Sequence, residues 1–280
     1  MGLFTTELIP KKNDYDYNGS RGRRIVFQTW KNDEVPEHWK ASPESIRDIM
    51  GGWEYVLMTD AMNEEFISKF FPNFLPIYNG FPHNIQRADA IRYCIMAKAN
   101  DAFGDNIDVV VYMDLDFVVR RPLDVIFNTN QNNAYFVASG NVASTLTNSF
   151  MAGRPGAEVF HNCVADMQLK GLHPPFWAYG KHFIVMSTTG PLMLNRVAKA
   201  TKMPYVTLPA TKFMPCSACN IKCEISDDCY LQPLEGGSWN GYDSKLYNAC
   251  MCNWRPLAFI VIAIILVIFI FLIGHYMRYW

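Results

Sequence analysis

Val109-Val110-Val111-Tyr112-Met113-Asp114-Leu115-Asp116 is the stretch that decides how this chain folds. Its first five residues are apolar or aromatic and begin with a run of valines, the composition of a strand buried on both faces. Two carboxylates one residue apart end it. A buried strand cannot leave two charged groups in the core, so they belong at its tip. In open α/β sheets that is where ligands collect. Two carboxylates there suit a hard divalent cation, Mn²⁺ or Mg²⁺, which keeps waters and completes its shell with substrate phosphates. A diphosphate leaving group calls for such neutralisation. Asp-x-Asp alone also occurs as two plain acidic loop residues, so its surroundings decide.

Upstream, Ile85 to Ala99 reads as a helix, with Ile85, Ala88, Ile91 and Ile95 forming one buried stripe. Asp89 and Arg92, three apart, share a face that borders it. They read either as a structural ion pair at a helix–sheet seam or as ligands for a sugar hydroxyl and a phosphate. Further out, strands are expected at Arg24–Gln28 and Trp53–Met58. Ser42-Pro43-Glu44 marks a helix start, with Pro at the first helical position. Thr59 or Asp60 would cap a helix reaching Phe70, and the three prolines of Phe71–Pro82 mark a loop. Strand and helix signals alternate to about Ala200, which predicts an α/β fold with a mostly parallel central sheet covered on both faces. Residues 1–22 read as an extended lead-in. Residues 201–253 are rich in proline, glycine and cysteine and read as mostly loop.

Charge is balanced, with 25 Lys plus Arg against 26 Asp plus Glu. The only basic cluster, Arg21, Arg23 and Arg24, reads as a solvated strand entry, so nucleic acid is not an expected partner. Leu257 to Ile273 holds 17 residues, none polar. At 1.5 Å per residue the run spans roughly 26 Å, the short end for a bilayer. Trp254 and Arg255 precede it, and His275, Tyr276, Arg278, Tyr279 and Trp280 follow, as interfacial anchors do. One C-terminal transmembrane helix is therefore expected over 255–276, with a short tail at 277–280. Met1 to Pro10 has neither a basic n-region nor an apolar h-region, so the folded domain is expected to face the cytosol, with a Golgi or ER lumenal placement as the other option. Met1-Gly2-Leu3-Phe4-Thr5-Thr6 also fits a myristoylation pattern, a short one with frequent chance matches.

Cys216, Cys219, Cys223 and Cys229 fall within fourteen residues, and Cys250 and Cys252 follow. The first four suit either a tetrahedral structural Zn²⁺ site or disulfides. Cys94 and Cys163 fall on predicted helices and read as buried thiols.

Several stretches together resemble glycosyltransferase family 32, the DXD-containing sugar transferases that include inositol phosphoceramide mannosyltransferases and the initiating α-1,6-mannosyltransferase. They are Ile25-Val26-Phe27-Gln28-Thr29-Trp30, Trp53 to Asp60, Arg87-Ala88-Asp89-Ala90-Ile91-Arg92-Tyr93 and Tyr112 to Asp116. Arg121-Pro122-Leu123-Asp124, Asn148 to Ala152, Thr189-Gly190-Pro191 and Gly237-Ser238-Trp239-Asn240 follow. The resemblance implies a GT-A-like domain over residues 23–250. It implies a metal-dependent, retaining transfer of a hexose, mannose favoured, from GDP-mannose or a UDP-hexose. In that family's pattern Asp116 would ligate the metal, with Asp114 on the ribose or reaching the metal through water. Asp89 and Arg92 would hold the donor sugar, Asn148 would lie near the transferred sugar, and Trp30 would lie by the base. Ser238 and Trp239 would sit on a lid at the diphosphate, and Asn240 would be a further metal ligand. Two departures stand out. Phe103-Gly104-Asp105-Asn106-Ile107-Asp108 lengthens the turn before the strand, and Asn240 replaces the usual His. These departures also suit a membrane protein that kept the fold with weakened or lost catalysis. The short reach from Trp239 to the apolar run points to a membrane-associated acceptor, such as a sphingolipid head group.

Overall fold

The structure, a computed structural model, describes residues 2–11, 22–127, 134–138, 145–202, 204–217, 219–220, 223–255, 262, 264–269 and 272–273. The chain divides into two compact units, Met1–Trp239 and Asn240–Trp280. In order, the first holds β1 (Glu7–Leu8), β2 (Arg23–Trp30), α1 (Ala41–Ile49), β3 (Glu54–Thr59), α2 (Asp60–Phe70), α3 (Leu75–Gly80) and α4 (Asn84–Ala97). Next come α5 (Ala99–Phe103), β4 (Ile107–Met113), β5 (Phe117–Val119), β6 (Ala134–Ala138), β7 (Leu146–Gly153) and α6 (Glu158–Lys170). Last are α7 (Gly180–Thr188), α8 (Pro191–Ala200), β8 (Tyr205–Leu208), α9 (Ala210–Phe213) and β9 (Leu231–Pro233). The second unit holds α10 (Tyr242–Cys252).

Seven strands form one sheet in the order β1-β3-β2-β4-β7-β6-β8, and β5 pairs with β9 apart from it. β2 runs parallel to β3 and β4, and β6 to β8. β1–β3, β4–β7 and β6–β7 are antiparallel. The sheet is thus mixed rather than mostly parallel. The helices between β2, β3 and β4 supply the crossovers that parallel pairing needs, whereas the stretch 139–145 is too short for one, so β7 returns antiparallel to β6.

Each face of the sheet carries a core. In β4, Val110 and Tyr112 face one, and Val109, Val111 and Met113 the other, as the unbroken apolar run implied. Each such side chain contributes roughly 1.5–3 kcal/mol on leaving water. α4 is buried continuously from Asp89 to Ala97, packing on the sheet and against α6, so a single stripe understates it. Thr59 caps α2, its side chain accepting from the Met62 amide at 3.3 Å. The expected loop at 71–82 contains α3, whose Pro76 sits in the first turn where a missing N–H costs nothing. The region 201–253 is likewise less loop-like than expected, since it includes β8, α9, β9 and α10.

The lengthened turn before β4 is accommodated by the N-terminus. Gly104 and Asn106 take positive φ, +92° and +66°. A Cβ on Gly2 would lie 2.2 Å from the Phe103 carbonyl carbon, so only glycine fits there. The Leu3 and Phe4 amides donate to Asp101 and Ala102 of α5. Within the expected extended lead-in, residues 2–11 are therefore docked on α5 and β3, and glycine at position 2 has a packing reason of its own. The basic strand entry is also paired rather than solvated. Arg23 meets Glu54 at 2.6 Å and Arg24 meets Asp124, while Arg21 lies outside the described residues.

The cysteine cluster resolves towards disulfides. Cys216 bonds to Cys223, and Cys219 and Cys252 are each disulfide-bonded. Cys229 stays a buried free thiol that donates to the Thr211 carbonyl at 3.3 Å. The four sulfurs do not converge on one tetrahedral site, so the Zn²⁺ reading of them is set aside. Cys94 and Cys163 are free and buried, as expected.

No helix among the described residues is long and apolar enough to cross a membrane. The span expected over 255–276 lies largely outside the described residues, as does the tail at 277–280. Within it, residues 264–269 are helical and expose Ile264, Ile265, Leu266, Val267, Ile268 and Phe269.

Candidate active site

β4 delivers Asp114 and Asp116 to its C-terminal end. Three hydrogen bonds from separate elements hold their turn. The Asp114 amide donates to the Ser149 carbonyl of β7 at 2.9 Å. The Gln28 side chain of β2 donates to the Asp114 carbonyl at 3.2 Å. The Leu234 amide, just past β9, donates to the Asp116 carbonyl at 2.7 Å. Gln28 is itself fixed by Ser42 at 2.9 Å and by the Tyr55 hydroxyl at 3.0 Å. Its role was readable only as a polar residue inside an apolar strand.

Asp89 and Arg92 of α4 join this group, so the two readings of the pair coincide. Arg92 bridges Asp89 at 3.1 Å and Asp114 at 3.2 Å, donates to the Asn148 carbonyl at 2.8 Å, and lies 4.5 Å from the centre of the Tyr112 ring. The Tyr112 hydroxyl donates to Asp114. Asp89 accepts from the Asn148 amide at 2.9 Å and from Thr189 at 3.1 Å. Thr189 had no assigned role; it reaches Asp89 because the α7–α8 junction passes over α4.

Burial dominates the electrostatics. It raises the carboxyls of Asp89 and Asp114, and the nearby Arg92 charge offsets it only in part. For Arg92 burial opposes the charge, but Asp114, Tyr112 and Asp89 outweigh it and hold the guanidinium charged. Asp116 is pushed up to about 7, by burial first and by the Asp114 charge second. Its Oδ1 is buried with no hydrogen-bond partner.

These groups line a cavity of about 320 Å³ whose charged lining is Asp89, Asp114, Asp116 and Arg92. Three carboxylates against one guanidinium leave a formal charge of −2, which a divalent cation would cancel. The unpartnered Asp116 oxygen makes the same demand, so the donor set fits Mn²⁺ or Mg²⁺. Among the described residues no group of three or more His, Cys, Asp or Glu gathers to hold a metal. The pair Asp114 and Asp116 would thus leave most of the shell to water and substrate oxygens.

The remaining wall is largely aromatic. Trp30 lines the cavity, packs edge-on against Trp39 at 5.2 Å, and has a buried, unpartnered Nε1. Trp39 donates to the Glu235 carbonyl at 2.9 Å and so anchors the segment that ends in Ser238 and Trp239. Both of these residues line the cavity. A Cβ on Gly236 would lie 2.0 Å from Asp116 Oδ2, so this backbone approaches the carboxylate as only glycine allows. Trp239 stacks on His182 at 5.6 Å, and Lys181 donates to its carbonyl at 2.6 Å. Trp39, Lys181 and His182 carry no sequence signal, since their contacts are made only by the fold. Asn240 is the first residue of the second unit, not of the unit that holds this cavity.

No protein-family model matches the chain. It is 28% identical over 267 residues to inositol phosphoceramide mannosyltransferase 3 of Schizosaccharomyces pombe, an alignment covering 91% of this chain and 66% of that one. It is 29% identical over 242 residues to inositol phosphoceramide mannosyltransferase 2 of the same organism, covering 86% and 64%. Its homologues are inositol phosphoceramide mannosyltransferases. The chain spans just under two thirds of the length of these mannosyltransferases. The crystal structure of a glycosyltransferase involved in the glycosylation of the major capsid of PBCV-1 superposes with a TM-score of 0.50 at 8% identity. That match covers 82% of this chain and 98% of the other, and the shared fold is that of a GT-A glycosyltransferase.

Proposed function

We propose that this chain is a metal-dependent glycosyltransferase that moves a hexose, mannose foremost, from a nucleoside-diphosphate sugar to a membrane-borne acceptor. The observation that carries the reading is the unpartnered Asp116 oxygen at a strand tip, in a cavity of charge −2. Mannosyltransferase homologues support the sugar, and the name those homologues carry, inositol phosphoceramide, supports a sphingolipid head group as acceptor.

Asp116 and Asp114 would hold Mn²⁺ or Mg²⁺. When bound, the cation supplies charge neutralisation to the departing diphosphate. Arg92 bridges Asp89 and Asp114 and favours, against their burial, the ionised form that a cation and a sugar hydroxyl need. Asp89, oriented by Asn148 and Thr189, is the acceptor for donor-sugar hydroxyls. Trp30 offers an aromatic face to the nucleotide base. Ser238 and Trp239 close over the diphosphate and exclude water. Among the described residues no side chain is assigned as the nucleophile of a covalent intermediate, the cavity carboxylates being given to the cation and the sugar hydroxyls. The glycosidic bond to the diphosphate therefore breaks as the acceptor hydroxyl bonds the anomeric carbon on the same face, its proton leaving with the phosphate. The apolar run 257–273 anchors the chain in the membrane as a single helix.

The test is transfer of labelled mannose from GDP-mannose to phosphoinositol sphingolipid in liposomes, with Mn²⁺ and with EDTA. Cation-dependent lipid product is expected. Product that is indifferent to EDTA would refute the metal, and no product from any GDP- or UDP-hexose would refute the transferase.

A further inference from the structure

From the last turn of α6 to the start of α7 the chain exposes a run of large apolar side chains. Leu169 is 74% exposed, Phe176 89% and Tyr179 78%, and Leu172 and Trp177 are exposed as well. The run is held in shape rather than left loose. The His173 amide donates to Lys170, Ala178 to Pro175 and Tyr179 to Trp177, all within 3.0 Å. Gly171 packs so closely on Phe81 and the Met167 carbonyl that a Cβ there would clash with both. Water-facing aromatic rings on a fixed scaffold cost free energy unless something covers them.

Three observations identify what covers them. The exposed residues include Trp and Tyr beside Leu and Phe, the mixture that settles at a membrane–water interface. From Met167 to Cys223 the chain carries no Asp or Glu, against Lys170, Lys181, Arg196, Lys199 and Lys202, while Lys212 pairs with Asp228 at 3.1 Å. Even where Lys170 and Arg196 share Asp166, two cations meet one carboxylate. Such a region complements an anionic head-group layer. The patch also runs straight into the candidate site, since Tyr179 immediately precedes α7 and Lys181 and His182 hold Trp239 at the cavity.

We propose that Leu169–Tyr179 is a bilayer-docking surface that seats the cavity at the lipid head-group layer. Its existence stands apart from the catalytic reading; the acceptor it would present rests on that reading.

The experiment uses the full chain in liposomes of phosphatidylcholine and phosphatidylinositol. Phe176→Cys in a Cys250→Ser background is labelled with an environment-sensitive fluorophore, and Glu65→Cys on the exposed face of α2 serves as control. Expected is a blue-shifted spectrum at 176 that lipid-borne nitroxide quenches, with an aqueous spectrum at 65. An aqueous spectrum at 176, or equal quenching at both positions, overturns the proposal. So does a blue shift at 176 that appears without lipid and disappears on dilution, which assigns the patch to a second copy of the chain. A second arm compares F176S/W177S/Y179S with the parent. Transfer to liposomal acceptor is expected to fall about tenfold, the factor for about 1.4 kcal/mol of lost contact. Hydrolysis of the nucleotide sugar in solution stays unchanged. Loss of both activities together overturns the docking role. Activity absent from the parent, with the label still buried in lipid, refutes the transferase and leaves the surface standing.

Discussion

Asp116→Asn should make the metal-free protein more stable while removing its cation. Asp116 is buried beside Asp114, and its carboxyl is pushed up from 3.8 to about 7. Between those values the folded state binds a proton that the unfolded state has released. Stability without metal therefore falls as pH rises from about 4 to about 7, and stays low above it. The shift of about three units corresponds to about 4 kcal/mol; allowing for relaxation around the charge, the gain for the amide at pH 8 is about 2–4 kcal/mol. For a domain of this size that is a rise in Tm of roughly 4–16 °C. Asn keeps the shape and removes the charge, so packing is not at issue. The assay is thermal or urea unfolding at pH 5 and pH 8 in EDTA, then with Mn²⁺. The parent should gain stability from Mn²⁺ at pH 8, and the variant should not. If Asp116→Asn is no more stable than the parent at pH 8 in EDTA, the carboxylate is not held at a charge penalty and the reasoning fails.

Arg92→Met leaves Asp89 and Asp114 buried without a counter-charge, so a loss of about 3–5 kcal/mol is expected in urea unfolding at pH 8. Gly236→Ala drives a methyl group into Asp116, and calorimetry should show Mn²⁺-dependent donor binding weakened while α-helical circular dichroism is retained. Cys216→Ser opens a loop with a sequence separation of 7 and should cost about 2 kcal/mol in urea unfolding without reductant, and the further change Cys223→Ser should add little to that loss.

What sequence reading could reach followed from local pattern. The valine run before Asp114 gave away a strand buried on both faces, and Thr59 its helix cap, because each rests on a few neighbouring residues. The pairing of β4 with β7 was out of reach, since strand direction depends on connections rather than on the strand itself. Asp89 and Arg92 were legible as a pair on one helical face, but their meeting with Asp114 and Asn148 depends on how α4 packs on the sheet. Gln28, Trp39 and His182 act through partners more than ten residues away, and such contacts leave no periodicity. The cysteines were open between zinc and disulfides because spacing alone does not set which sulfurs approach. The arginines at the β2 entry looked solvated because their partners, Glu54 and Asp124, come from distant strands and turns.

The central claim is that Asp114 and Asp116 form a cation-dependent nucleotide-sugar site, and titration calorimetry reaches it most directly. GDP-mannose and UDP-hexoses are titrated into the full-length protein with Mn²⁺ and with EDTA, alongside Asp116→Ala. The account predicts saturable binding of one nucleotide sugar that requires Mn²⁺ and is lost in Asp116→Ala. Binding of equal affinity in EDTA, or in the variant, would contradict it.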